Sequence, residues 1–297
     1  MSTALLLLPD FMLIVLGYAL CRYTSLNRTV WDAVERLVYY VLFPVLLFNS
    51  ILKSPLQPGQ TLALAAGSVG TVACGIALAF ALGRWPGIDS RLHASGAQTA
   101  FRFNSFIALA LAERLGGQAG LAWMALSIAL CVPLCNVAAV WPLARHGGHS
   151  YARELARNPL ILSTVAGLIA NLIGLRFPEA MATTLQRIGV ASLALGLMGA
   201  GAGLRIVGLR DAPGLAAALM AIRHMILPAI AIGLTAALAL PPQQRTIVVL
   251  FASLPTASSA YVLASRMGGD GSYVAGLVTL STLLGMISIP FWLGMLG

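Results

Sequence analysis

The chain has 297 residues, 59% of them hydrophobic and 9% charged, with a mean hydropathy of +0.89 and a formal net charge of +9. Soluble domains carry roughly 25% charged residues, so composition excludes one, and apolar runs recurring along the whole length leave no space for one between them. The positive excess is 17 arginines and one lysine scattered over short loops, a pattern of membrane orientation and not of a nucleic-acid patch.

A bilayer core takes about 20 apolar residues per helical crossing. Ten spans are expected on that measure, at 5–22, 31–52, 61–83, 92–114, 119–142, 158–175, 181–204, 213–239, 245–266 and 272–296. The first reads as a retained helix, because no positive region precedes Leu5 to Leu8. Turn residues mark the short intervals: Ser25-Leu26-Asn27, Trp85-Pro86-Gly87 and Asp211-Ala212-Pro213-Gly214. The longest loop, 143–157, separates a five-span unit at 1–142 from a second at 158–297. An odd number of crossings per unit makes the second copy enter from the opposite face, so the expected fold is all-α integral membrane, built as two inverted five-helix repeats.

Alternate loops divide the basic residues ten against four, the richer set being Arg22, Arg28, Arg84, Arg91, Arg145, Arg153, Arg157, Arg205, Arg210 and Arg266. That set belongs in the cytoplasm, which makes 143–157 a cytoplasmic linker and puts both termini outside the cytoplasm of a multi-pass cell (inner) membrane protein. Cys21, Cys74, Cys131 and Cys135 fall in or beside apolar spans with no partner histidine, and read as buried free thiols. Ser95 with His93 makes no supported catalytic dyad. No metal, cofactor, nucleotide loop or enzyme activity is expected.

Two stretches break the rules for a lipid-buried helix. Phe101-Arg102-Phe103-Asn104-Ser105-Phe106 places a guanidinium and an amide at mid-depth; Ser253-Leu254-Pro255-Thr256-Ala257-Ser258-Ser259 places a proline there, followed by three hydroxyl side chains. Proline removes a backbone hydrogen bond and clashes with the preceding turn. Non-helical backbone at this depth persists only where protein or a wet cavity covers it. Paired interruptions in corresponding positions of two halves point to a transporter's substrate site. The correspondence shows in Leu111-Ala112-Glu113-Arg114-Leu115-Gly116-Gly117 and Leu263-Ala264-Ser265-Arg266-Met267-Gly268-Gly269, where Leu, Ala, Arg and both glycines coincide. The same offset sets Asn104 against Thr256 and Phe103 against Pro255.

The fourth and ninth spans then run antiparallel, and breaks that cross at mid-depth bring four half-helix ends together. Half-helices starting near Asn104 and Thr256 aim unpaired N–H groups and positive dipole ends at that point, the makings of an anion site. Arg102 and Arg223 each lie ten residues into a span, about 15 Å deep at 1.5 Å per residue. A mid-membrane charge costs roughly 2.5–3.5 kcal/mol on insertion scales and is usually paired or functional. Asp10, Asp32, Glu35 and Glu113 lie toward span ends. Two readings follow for the arginines: an anionic ligand, or backbone carbonyls freed by the broken helices. His224 reads as a packing histidine or a proton relay, and Asn49 and Asn136 as interhelical hydrogen bonds or ligand contacts. Pro44 and Pro133 are expected to kink their spans. Gly196, Gly199, Gly201 and Gly203 give the seventh span a face for close packing, as Gly67, Gly70 and Gly75 do for the third.

In order and spacing these motifs resemble the auxin efflux carrier family, which includes plant auxin exporters and bacterial carriers of small organic acids. Leu8-Pro9-Asp10-Phe11, Val41-Leu42-Phe43-Pro44-Val45, Phe103-Asn104-Ser105-Phe106 and Leu254-Pro255-Thr256-Ala257 are similar to its first, second, fourth and ninth spans. The resemblance covers nearly the whole chain. It implies a scaffold of spans 1, 2, 6 and 7, a homodimer, and a mobile transport unit of spans 3–5 and 8–10, in a wider fold similar to bile-acid sodium symporters. It also implies that Asn104 helps hold a substrate carboxylate near Pro44. Phe103 stands where the auxin exporters carry a proline, and their long cytoplasmic loop is short here. Both differences, with Arg102 before Asn104, turn the expectation toward a more strongly anionic ligand such as a dicarboxylate.

The expected function is a secondary transporter of small organic anions by alternating access. Its substrate residues are Arg102, Asn104, Ser105, Thr256, Ser258 and Ser259, its helix breaks Phe103 and Pro255, and its accessory residues Pro44, Asn136, Arg223 and His224. The partners are a small carboxylate, the lipid bilayer and a second copy of the chain. A passive anion channel and a membrane sensor without transport are the alternatives; the first needs a continuous polar pore and the second a signalling domain.

Overall fold

The computed structural model describes residues 3–53, 58–143, 159–204, 212–257 and 259–296. The expected linker 143–157, apart from Leu143, and Ser258 therefore lie outside the described residues. All regular structure described is helical. In chain order it comprises α1 (Thr3–Tyr23), α2 (Arg28–Leu37), α3 (Phe43–Leu52), α4 (Pro58–Leu82), α5 (Ser90–Gly96), α6 (Ser105–Leu143), α7 (Pro159–Leu172) and α8 (Glu179–Ala202). The order continues with α9 (Pro213–Ala221), α10 (Leu227–Ala237), α11 (Pro242–Ser253), α12 (Ser259–Arg266) and α13 (Gly271–Gly294). Helix covers part of each of the ten apolar stretches read from the sequence. Among the described residues, five stretches are long and apolar enough to cross a membrane: Thr61–Leu82, Ser90–Ala139, Glu179–Ala202, Pro213–Ala237 and Gly271–Gly294.

The helix ends follow from local chemistry. Asn27, Asp89 and Asp270 cap α2, α5 and α13, each side chain accepting from backbone N–H groups of the first turn. Within α6 the single non-helical residue is Gly117, at φ 56° and ψ −147°, so the segment divides there into two helices. A left-handed φ is open to glycine at no steric cost. Gly268, one position before the counterpart of Gly117 in the second half, has φ 75°.

Proline shapes two further helices, at Pro44, where the sequence reading expected a kink, and at Pro228, which it did not single out. A π turn, Val38–Leu42, precedes Pro44, and another, Ile222–Ile226, precedes Pro228. The proline ring collides with the carbonyl four residues back, and one wider turn with five-residue spacing relieves the clash. Phe43 N–H accordingly bonds Val38 C=O, and Leu227 N–H bonds Ile222 C=O. Pro133 does not act this way: α6 keeps helical dihedrals through it.

Packing groups the helices. α1 and α2 lie on α8, and α3 lies on α7 and α8. α4 and α11 pack on each other and on both α6 and α10, and α12 packs on α13. The groups meet where α6 touches α3, α7 and α8, and where α1 touches α13 and α6. Small residues on α8 allow the closest approach. Gly201 faces the Ile14 carbonyl, Gly17 of α1 faces the Met198 carbonyl, and Gly196 faces the rings of Phe43 and Phe106.

Candidate functional site

Two helices are interrupted. After α5 a 3-10 turn, Ala97–Ala100, leads into non-helical backbone that ends at Asn104, and α6 starts at Ser105. The other break runs from Leu254 through Ala257, between α11 and α12. The two breaks touch through the main chain, Asn104 N–H donating to Pro255 C=O at 2.9 Å.

Side chains close the half-helix ends at this junction. Asn104, 3% exposed, turns Oδ1 onto the N–H groups of Phe106 and Ile107 at 3.0 and 3.2 Å. It thus serves as the N-cap of α6 and satisfies donors that the helix cannot. Arg102 is half-buried, and its Nη1 donates to Gln98 Oε1 at 3.1 Å. Gln98 Nε2 in turn donates to Ser95 C=O at 3.1 Å and to Ala260 C=O at 3.2 Å, tying the first break to the helix after the second. The Cys135 thiol donates to Phe101 C=O at 3.5 Å. Phe103 packs edge-on against Phe251, ring centroids 4.5 Å apart.

Arg223 is 1% exposed, and it bonds the end of α11. Its Nε donates to Leu254 C=O, and its Nη2 to Phe251 C=O at 3.1 Å. Of the two readings the sequence allowed, these contacts realise the second, with a guanidinium on carbonyls that a broken helix leaves without donors. The neighbouring His224 sits between two serines of α13, with Nδ1 2.9 Å from Ser288 Oγ and Nε2 2.8 Å from Ser281 Oγ. Ser281 Oγ also accepts Thr256 N–H at 3.0 Å. A hydrogen-bonded path therefore runs from the second break through Ser281 and His224 to Ser288. The His224 carbonyl, whose usual donor would be the missing N–H of Pro228, is met by Trp292 Nε1 at 2.7 Å.

Thr256 is fully buried, and its Oγ1 has no hydrogen-bond partner among the described residues. A buried hydroxyl left unpaired costs roughly 1–3 kcal/mol, so an oxygen-bearing ligand here would recover what the fold leaves unmet. Ser105 is half-buried in the first turn of α6. Ser259 opens α12. Pro44 lies in α3 beside Phe43, whose ring meets Phe106 at a centroid distance of 4.9 Å. Asn136 is half-buried on the far part of α6. Asn49 is buried, but its Oδ1 finds no partner among the described residues. Asn171 makes an interhelical amide contact, its Nδ2 donating to the carbonyls of Ile51 and Leu52 at 3.0 and 2.9 Å.

Cys131 and Cys135 are buried free thiols, and no His/Cys/Asp/Glu cluster fit for a metal occurs among the described residues. His93 Nε2 lies 2.8 Å from Ala79 C=O, and Ser95 Oγ donates to Arg91 C=O at 2.7 Å, so the two do not form a dyad. Sequence reasoning missed Gln98, Ser281 and Ser288, which look like ordinary polar residues of apolar helices. It also missed the pairing of Arg114 with Asp10, at 3.0 and 3.1 Å, which joins α1 to α6. An aspartate in an apolar first helix was the available signal.

Apolar helices interrupted within their length, with buried polar groups gathered at the interruptions, are the arrangement of a membrane transporter's substrate site. Residues 142–293, just over half of the chain, match the family described as membrane transport protein. The chain belongs to that family, the auxin efflux carriers. It is similar to a protein of Rhizobium meliloti (strain 1021) named "Putative malonate transporter", 26% identical over 302 residues covering 96% of this chain and 92% of the relative. It is also similar to an "Uncharacterized transporter" of Methanothermobacter thermautotrophicus (strain Delta H), 28% identical over 293 residues covering 96% of this chain and 95% of the relative.

Proposed function

We propose that this protein is a secondary transporter of small organic anions, mono- or dicarboxylates, working by alternating access around two interrupted helices in the cell membrane. The observation that carries the reading is the junction at Asn104 and Pro255, where a buried, unpaired Thr256 hydroxyl and the Arg102 guanidinium belong to adjoining breaks. Arg102 neutralises ligand charge. Thr256, Ser105, Ser258, Ser259 and the amide of Asn104 hold ligand oxygens, with Pro255 keeping the second helix open. Phe103 and Phe251 wall the junction with aromatic surface. The name of the Rhizobium relative supports a carboxylate cargo.

Alternating access needs one body to move against another. The packing of α1–α3 with α7 and α8, which the remaining helices meet mainly through α6 and α13, supports a scaffold and a transport unit; the two are drawn from inverted repeats whose fourth and ninth spans cross. The scaffold pairs with that of a second copy, and both termini face away from the cytoplasm. The test is uptake of labelled malonate by proteoliposomes: Arg102→Ala abolishes flux while leaving a folded, reconstituted protein. Unchanged flux in that variant would remove the role assigned to Arg102.

A further inference from the structure

Arg223 bonds carbonyls at the second break, and among the described residues its charge has no carboxylate against it. The described ion pairs join Arg28 to Asp32 and Glu35, and Arg114 to Asp10. Both bonded nitrogens of Arg223, Nε and Nη2, point at carbonyls of Phe251 and Leu254. A guanidinium so engaged, and 1% exposed, acts on a ligand through its field and not through contact.

The size of that field follows from the helix ends around it. Two helices finish at the junction, the 3-10 turn at Ala100 and α11 at Ser253, and two begin there, α6 at Ser105 and α12 at Ser259. Each end carries a partial charge of about one half, negative at a C-terminus and positive at an N-terminus. The four ends largely cancel as a set. What is left, among the described residues of the two breaks, is the formal charge of Arg102 at one and of Arg223 at the other. Two guanidinium charges at a junction whose dipoles cancel are neutralised by a ligand with two negative charges.

We propose that Arg223 is a positioning residue, holding the α11 end in place and supplying the second positive charge that makes this site favour doubly over singly charged anions. The inference rests on the reading of the junction as an anion site. It concerns what Arg223 adds there without touching the ligand.

The test is equilibrium binding of malonate and of monomethyl malonate, nearly the same shape with one charge fewer, to purified full-length protein in nanodiscs. Coulomb energy is linear in ligand charge, so a factor lost by the monoanion on removing Arg223 is squared for the dianion. Arg223→Gln deletes the charge and keeps a donor only at the place of Nε, losing the Nη2 bond to Phe251. A loss of about fivefold for the ester would then go with about 25-fold for malonate. Arg223→Lys restores the preference for malonate. Equal losses for the two ligands, or no loss for either, overturn the electrostatic role. Hydrogen exchange of the peptide 249–257, read on the same proteins without ligand, tests the positioning role. The amides of Leu254, Thr256 and Ala257 exchange faster in Arg223→Gln and are slowed again in Arg223→Lys. Unchanged exchange in both variants overturns that role. If the wild type binds neither ligand, the anion reading of the junction fails and the charge preference proposed for Arg223 fails with it, while the exchange result still decides its hold on α11.

Discussion

Replacing Gly201 with alanine tests the contact on which α1 and α8 rest. A methyl group there would overlap the Ile14 carbonyl, lying 2.7 Å from its carbon and 3.0 Å from the Tyr18 nitrogen. A methyl on Gly17 would lie 2.6 Å from the carbonyl carbon and Cα of Met198. Carbon contacts are comfortable at about 3.5–4.0 Å, so the two helices must separate by roughly 1 Å. A gap of that size forfeits a quarter to a half of each dispersion contact along the seam, and overpacking costs about 1–3 kcal/mol. Against this, alanine is about 1 kcal/mol better than glycine inside a helix. The steric term wins. The net cost of about 1–2 kcal/mol is expected to lower the apparent melting temperature of Gly201→Ala in detergent by about 1–4 °C. Gly233→Ala, in α10 with nothing within 4 Å of the added methyl, leaves it unchanged or slightly raised. A Gly201→Ala protein that melts with the wild type would refute the claim that backbone-to-backbone approach fixes α1 on α8.

Asn104→Asp keeps an oxygen on the N–H groups of Phe106 and Ile107 and adds a negative charge at the junction. It should still fold but lose malonate uptake, whereas Asn104→Ala gives up about 1 kcal/mol of helix capping without adding a charge; uptake by the Asp variant at the wild-type rate would show that ligand charge does not meet Asn104. A reporter fused after Gly297 and active only outside the cytoplasm should give signal, and signal from a cytoplasm-only reporter at the same position would reverse the orientation.

The two breaks were legible in the sequence because their causes are local. Pro255 has no N–H to give, and Asn104 is a residue type that caps the next turn instead of extending the last one. Both stand in stretches that are otherwise apolar, where an amide or a run of hydroxyls is costly unless the helix opens to meet it. The partners of Arg223 and His224 were not legible in the same way. Arg223 reaches carbonyls 28 and 31 residues along the chain, and His224 reaches serines 57 and 64 residues away. Such pairs exist only after helices pack, and serine in an apolar helix gives no sign of which neighbour it will meet. Asp10 and Arg114, 104 residues apart, are the same case. The π turns before Pro44 and Pro228 fall between, since a proline announces a disturbance and the surrounding packing decides its form.

The bond between Asn104 and Pro255 uses an amide nitrogen and a carbonyl oxygen, atoms supplied by the peptide unit whatever side chain is attached. Mutation can therefore re-decorate this joint without unfastening it. A lineage that transports as proposed could trade one cargo for another by altering the groups that project from the joint while its two backbones stay fastened. Recognition would then rest on atoms free to drift, and the joint on atoms that every sequence supplies.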